Sequence, residues 1–214
     1  MEGYREMTTV IVLGMHRTRT SLVAHICQAL SVNMGDEMLG SHPSQPHGHF
    51  EDVEFYQLNQ LVLQGCGGKW DNPPTVHAVE FAREMYSRDA RELVARKSAS
   101  KLWGWKDPRT CLTLPVYWPY LTDVRLLFIK RNRVSIIRSL MNRSGGNRQK
   151  WERVMSIYEE GMNWARKQNV PQLEIDTDRL VNRSCGKVEV GKTTRFLGRP
   201  VSLIDKAAQV IAFS

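Results

Sequence analysis

The chain has 214 residues, 42% of them hydrophobic, and a net charge of +8. That is enough for one α/β domain over residues 1–214, while no stretch approaches the roughly 18–20 apolar residues of a membrane span. The basic excess suits an anionic ligand, nucleic acid or an acidic membrane surface. The four cysteines, Cys27, Cys66, Cys111 and Cys185, lie far apart with no C-x-x-C pair. This argues against a disulfide frame or a zinc site, and with no signal peptide visible the expected location is cytoplasmic.

Val10-Ile11-Val12-Leu13 is a continuous apolar run, which predicts a strand buried on both faces of a parallel sheet. Gly14 ends the run. Thr20 and Ser21 then precede Leu22, Ile26 and Leu30 at helical spacing, and either is the expected N-cap or first-turn residue. A strand, a tight loop and a helix N-terminus aim free backbone N–H groups and the positive end of a dipole at one point. With Arg17 and Arg19 in the loop, the segment reads as a phosphate or sulfate cradle. A nucleoside-triphosphatase loop needs G-x-x-x-x-G-K-[ST]. Counting from Gly14, its second Gly position is Arg19 and its Lys position is Thr20, so ATP or GTP hydrolysis is not expected.

Gly35–Gly48 reads as a loop, and Glu51 and Asp52 open a helix carrying Phe55, Leu58 and Val62. Acids in a first turn suit the helix dipole, so the simplest reading of this pair is capping. After a second loop over Gly65–Pro74, the spacing predicts one long helix over Val76–Lys97, with Val79, Ala82, Tyr86 and Leu93 inward. Leu102–Lys106 and Val124–Ile129 are further strand candidates. From Val124 to Trp151 there are eight basic residues and no acid. A helix over Gln149–Lys167 with Trp151, Val154, Tyr158, Met162 and Ala165 in phase and a strand at Gln172–Asp176 complete the reading.

Four segments resemble the sulfotransferases that use 3′-phosphoadenosine 5′-phosphosulfate (PAPS). G-M-H-R-T-R-T-S over residues 14–21 is similar to the bacterial G-M-H-R-S-G-T-S loop; G-H-F-E-D over 48–52 resembles G-Y-F-E-[DN]; W-G-W-K-D-P-R over 103–109 resembles W-G-x-K-D-P-R; and Arg131 and Ser139 match R-x₇-S. The resemblance implies a three-layer α/β/α fold, P-loop NTPase-like, with a central parallel sheet of four or five strands. It implies transfer of a sulfuryl group from PAPS, without a metal, to a hydroxyl or amine of a small-molecule or carbohydrate acceptor, leaving adenosine 3′,5′-bisphosphate (PAP). On it, Gly14, His16, Arg17, Thr18, Arg19, Thr20 and Ser21 bind the 5′-phosphosulfate and Arg131 and Ser139 the 3′-phosphate. Arg17 and Lys106 stabilise the transferring group. Pro108 stands where some members have a catalytic His, leaving Glu51 as the expected base, with His49 and Asp52 behind it.

Arg19 replaces the family's Gly, a position that suits positive φ. Either the loop takes a conformation Arg accepts, or its guanidinium grips sulfonate or acceptor, or the cradle is degraded; the second is the expectation. Two rivals accompany the enzyme reading. One is an inactive PAPS-binding relative. The other is a basic nucleic-acid-binding domain using the Val124–Trp151 run.

Overall fold

The computed structural model describes residues 7–40 and 49–213. The apolar runs form β1 (Thr8–Leu13), β2 (Leu102–Lys106), β3 (Val124–Lys130) and β4 (Gln172–Asp176). They pair in parallel in the order β2-β1-β3-β4, four strands as expected. Val12 lies opposite Lys106 and Leu13 opposite Phe128, so β1, β2 and β3 end side by side.

The helices are α1 (Thr20–Ala29), α2 (Val53–Gly65), α3 (Val76–Ala82), α4 (Ser87–Lys97), α5 (Thr110–Tyr117), α6 (Arg133–Ser144), α7 (Arg148–Arg166), α8 (Thr177–Leu180), α9 (Gly186–Phe196) and α10 (Ile204–Gln209). Strand alternation builds two cores. Ile11 and Leu13 pack with Phe55, Leu93, Leu140 and Tyr158 on the α2–α7 side. Val10 and Val12 pack with Leu22, Ile26, Val190 and Ala207 on the α1, α9 and α10 side. Every one of these strand residues is fully buried, which explains a run without polar alternation. The free edge of β2 is covered by Asn33, whose N–H donates to the Leu102 carbonyl and whose carbonyl accepts from Gly104.

One predicted helix is corrected. Val76–Lys97 is two helices, α3 and α4, joined by a 3-10 turn at Arg83–Tyr86. The turn seats the Tyr86 hydroxyl against Gly65, where an added Cβ would come within 1.8 Å of it. Phe81 and Met85 are left exposed.

Asp52 is structural. Its carboxylate caps α2 by accepting from the Glu54 and Phe55 N–H groups, and it meets Lys97 Nζ at 2.8 Å. Asp36 and Glu54 complete this ion cluster, each 2.8–2.9 Å from Lys97. Burial lowers the Lys97 pKa, but the three carboxylates outweigh it and hold the group above its ordinary range. The capping reading of Asp52 is the one realised.

Candidate active site

The loop after β1 is built around two arginines in the left-handed region, Arg17 at φ 69° and Arg19 at φ 67°. Arg19, not Thr20 or Ser21, is the N-cap of α1, and no side chain caps that helix. Its first N–H groups therefore lack a side-chain acceptor, the condition for an anion site. Gly14 is required by space: an added Cβ would lie 2.8 Å from Thr18 Oγ1 and 2.9 Å from Thr20 Cγ2. Thr18 Oγ1 donates to the Met15 carbonyl at 2.6 Å, which folds the loop on itself. Thr20 is buried beside it.

On the β3 side the loop meets Arg131 and Ser139. Arg17 Nε donates to Ser139 Oγ at 2.8 Å, and Arg131 Nη1 donates to the Arg17 carbonyl at 2.6 Å. Arg19 Nη1 donates to Asp178 Oδ1 at 2.7 Å and to the Thr177 carbonyl at 3.2 Å. Asp178 Oδ2 accepts the Asn132 N–H at 2.7 Å, and Asp178 Oδ1 lies 3.8 Å from Arg131 Nε. Burial opposes ionisation of Asp178, yet the Asn132 N–H and Arg19 keep its carboxyl below the usual range. Burial, with the like charge of Arg19, holds Arg131 below its ordinary value; burial, with Arg143, does the same for Arg17. Among the described residues Asp178 is the carboxylate that meets Arg19 and Arg131, and Arg17 meets none. The cluster carries excess positive charge, and Arg131 Nε is buried without a hydrogen-bond partner.

On the β2 side, Lys106 ends its strand with the side chain 1% exposed. Its Nζ donates to Glu51 Oε1 at 2.8 Å, to Ser21 Oγ at 3.2 Å and to the His49 carbonyl. Ser21 Oγ itself donates to the same carbonyl at 3.0 Å. Lys106 thus bridges the first turn of α1 and the 49–51 segment. Gly48 and the preceding residues 41–47 lie outside the described residues. Glu51, 5% exposed, is pushed above the ordinary carboxylate range chiefly by burial, against the pull of Lys106 and with Asp107 adding to the rise. Arg109 approaches Glu51 Oε2 at 3.6 Å, bonds Asp107 Oδ1 at 2.9 Å and stacks over Tyr56. Asn59 donates to Asp107 Oδ2 at 2.9 Å, anchoring the turn in the core.

Between the two sides sits His16, 8% exposed, with Nε2 buried and unpartnered. Its ring meets Trp70 at 4.7 Å and Tyr158 at 5.9 Å. Burial, reinforced by Arg109, Arg143 and Lys106, drives its pKa well below the ordinary value, so the imidazole is neutral at pH 7.

A solved structure, sulfotransferase STF1 from Mycobacterium tuberculosis H37Rv, superposes on 97% of this chain and 71% of its own, with TM-score 0.51 and 14% identity. The fold is that of a sulfotransferase. No family profile matches the sequence, and no curated protein matches it significantly. At this identity the likeness carries the fold and leaves the chemistry to the site.

Within this sulfotransferase fold the strand ends gather Gly14, His16, Arg17, Thr18, Arg19, Thr20, Ser21, Lys106, Arg131 and Ser139 around one loop, and Glu51 joins them through Lys106. The guanidinium of Arg19 is engaged by Asp178 and Thr177 rather than left facing a ligand. His49 meets Lys106 through its backbone carbonyl. Sequence reasoning singled out neither Arg109, Asp178, Trp70 nor Arg143. Only Arg109 had a signal, the D-P-R that closes β2. Asp178 joins the site because the turn into α8 places it there.

Proposed function

We propose that the protein transfers a sulfuryl group from PAPS to a hydroxyl or amine of a small-molecule or carbohydrate acceptor. The observation that supports this best is the pairing of two unlike sites across one loop. A cationic cluster (Arg17, Arg131, with Ser139) lies at the ends of β1 and β3, and a buried Lys106–Glu51 pair lies at the end of β2.

The residues suit such a donor. Arg131, whose buried Nε has no hydrogen-bond partner, and Ser139 would hold the 3′-phosphate by charge-assisted bonds. The uncapped N-terminus of α1, with Ser21 and Thr20, would hold the 5′-phosphosulfate. When bound, PAPS supplies the sulfuryl group: the acceptor oxygen or nitrogen bonds to sulfur as the bond from sulfur to the 5′-phosphate oxygen breaks. Lys106 and Arg17 neutralise charge on the equatorial oxygens and on the departing phosphate, a role that needs positioning and electrostatics. Glu51 takes the acceptor's proton, and its raised pKa brings it toward the strength useful for a base near neutral pH.

PAP should raise the melting temperature by mass action, and 5′-AMP should do so much less. Arg131→Ala should erase that difference, a bidentate charge-assisted contact being worth about 1.5–3 kcal/mol. Equal shifts from PAP and 5′-AMP in the wild-type protein would rule out a dedicated 3′-phosphate site. An acceptor screen with labelled PAPS then tests transfer itself.

A further inference from the structure

Around the loop stand polar groups that this mechanism does not use. Arg143, near the end of α6, stands with its guanidinium 5.6 Å above the Trp70 ring. Trp70 in turn stacks on the buried Trp151 at 5.7 Å and meets His16 at 4.7 Å. Lys150 and Arg109, the neighbouring cations, are engaged by Asp71 and by Asp107 with Glu51. Arg143 has no carboxylate within ion-pair distance among the described residues. Other exposed arginines share that lack; Arg143 differs in its place. It bears electrostatically on Arg17 in the loop and on His16, and His16 keeps a buried nitrogen unbonded. A buried polar atom left unpaired is costly, so its place beside the loop calls for an explanation, and a ligand supplies one.

We infer that Arg143 and His16 form an oxyanion subsite on the Trp70 side of the loop, and that the acceptor carries a carboxylate, phosphate or sulfate ester near the group that is sulfated. Arg143 supplies a planar fork of donors with full charge, which suits an oxyanion better than a hydroxyl. The cation–π contact with Trp70 holds the guanidinium near the ring, so less freedom is lost when it binds. His16, neutral among these cations, adds a hydrogen bond and no charge. The inference rests on the sulfuryl-transfer reading for what the subsite serves, though not for its existence.

The test uses benzoate and its uncharged counterpart benzamide, neither of which has a hydroxyl to be sulfated. Each is titrated into the whole protein saturated with PAPS, which fills the donor site, and into the protein alone, with binding read by thermal shift and calorimetry. Benzoate is expected to bind and benzamide to bind at least about tenfold more weakly. Arg143→Gln should weaken benzoate by about tenfold or more while the shift produced by PAPS stays within twofold of wild type. Arg143 is exposed, so the variant is expected to fold; His16→Asn, which keeps a polar group, should give a smaller loss. Equal binding of benzoate and benzamide, benzoate binding unchanged in Arg143→Gln, or no benzoate binding at all would overturn the subsite. An Arg143→Gln variant that loses PAPS as severely as Arg131→Ala would move Arg143 to the donor and overturn it too. If PAPS gives no shift while benzoate still depends on Arg143, the sulfuryl-transfer reading fails and the oxyanion site stands.

Discussion

Glu51 owes its character to a competition that burial wins. Desolvation raises its pKa, Lys106 and Arg109 pull it back, and Asp107 raises it again. The rate should therefore rise with pH along an acid limb lying above the ordinary carboxylate range as Glu51 ionises. Glu51→Gln should cut turnover by about 10²–10⁴-fold and remove that limb while PAP still raises the melting temperature. A pH–rate profile of kcat/KM on the two proteins measures both, and an unchanged limb in the variant assigns it elsewhere. The same shift appears in stability with a definite sign. A carboxyl with a raised folded-state pKa holds its proton more tightly folded than unfolded. Its contribution is full below the ordinary carboxylate range and declines as pH rises through the interval up to the folded value. Denaturation across that interval should show the decline flattened in Glu51→Gln.

Between elements, the informative contact joins the loop to the start of α8. Two arginines at positive φ each carry strain of order 1 kcal/mol or more, and such strain clusters at functional sites. At Arg19 it is offset by Asp178, a partly exposed ion pair worth about 0–1 kcal/mol. Arg19→Gly removes the strain and the pair together, so stability should change by less than about 1 kcal/mol. Binding should not follow stability. Asp178 Oδ1 already lies 3.8 Å from Arg131 Nε, and once released by Arg19 it is free to close on Arg131, the residue proposed for the 3′-phosphate. PAP affinity should then fall severalfold, and Asp178→Asn in the same background should restore it. Calorimetry on the single and double variants checks this; tighter PAP binding by Arg19→Gly alone would show that Arg19 obstructs the cradle. The central strands were legible, because Val10–Leu13 and Leu126–Ile129 are buried on both faces and carry no alternation to misread, whereas α5 and α10 had no such signature. The break at Arg83–Tyr86 was not, since it depends on Gly65 offering Tyr86 a seat. Nor was the partner of Arg19, because Asp178 is brought to the loop by the turn into α8 and not by any spacing along the chain.

At the scale of the molecule the question is where the net charge of +8 is aimed. The run from Val124 to Trp151 reads in sequence as a basic strip, but folding spends much of it. Lys130 meets Glu174, Arg133 meets Glu159, Arg148 meets Glu152 and Lys150 meets Asp71. Arg125 donates to the Phe196 carbonyl, and Arg131 turns inward to the loop. Of the run, Arg138 and Arg143 have no carboxylate partner among the described residues, and Arg143 bears on Arg17 in the loop that Arg131 also meets. A partly buried cluster around one loop fits a compact polyanion, while a polynucleotide needs charges spread along a track. The two differ in salt response. The logarithm of affinity for a nucleic acid falls linearly with the logarithm of salt, with a slope proportional to the phosphates neutralised, whereas partly buried contacts to one small ligand are screened less. PAP stabilisation should therefore persist from about 50 mM to about 200 mM salt, where any binding of a single-stranded oligonucleotide should drop by orders of magnitude. The oligonucleotide should also compete with PAP poorly, and adding a 3′-phosphate to adenosine should matter more than lengthening the strand. If instead the strand binds more tightly than PAP at the higher salt and is indifferent to a 3′-phosphate, the paired acids on α7 and β4 have been given too much weight, and the basic run is the functional surface.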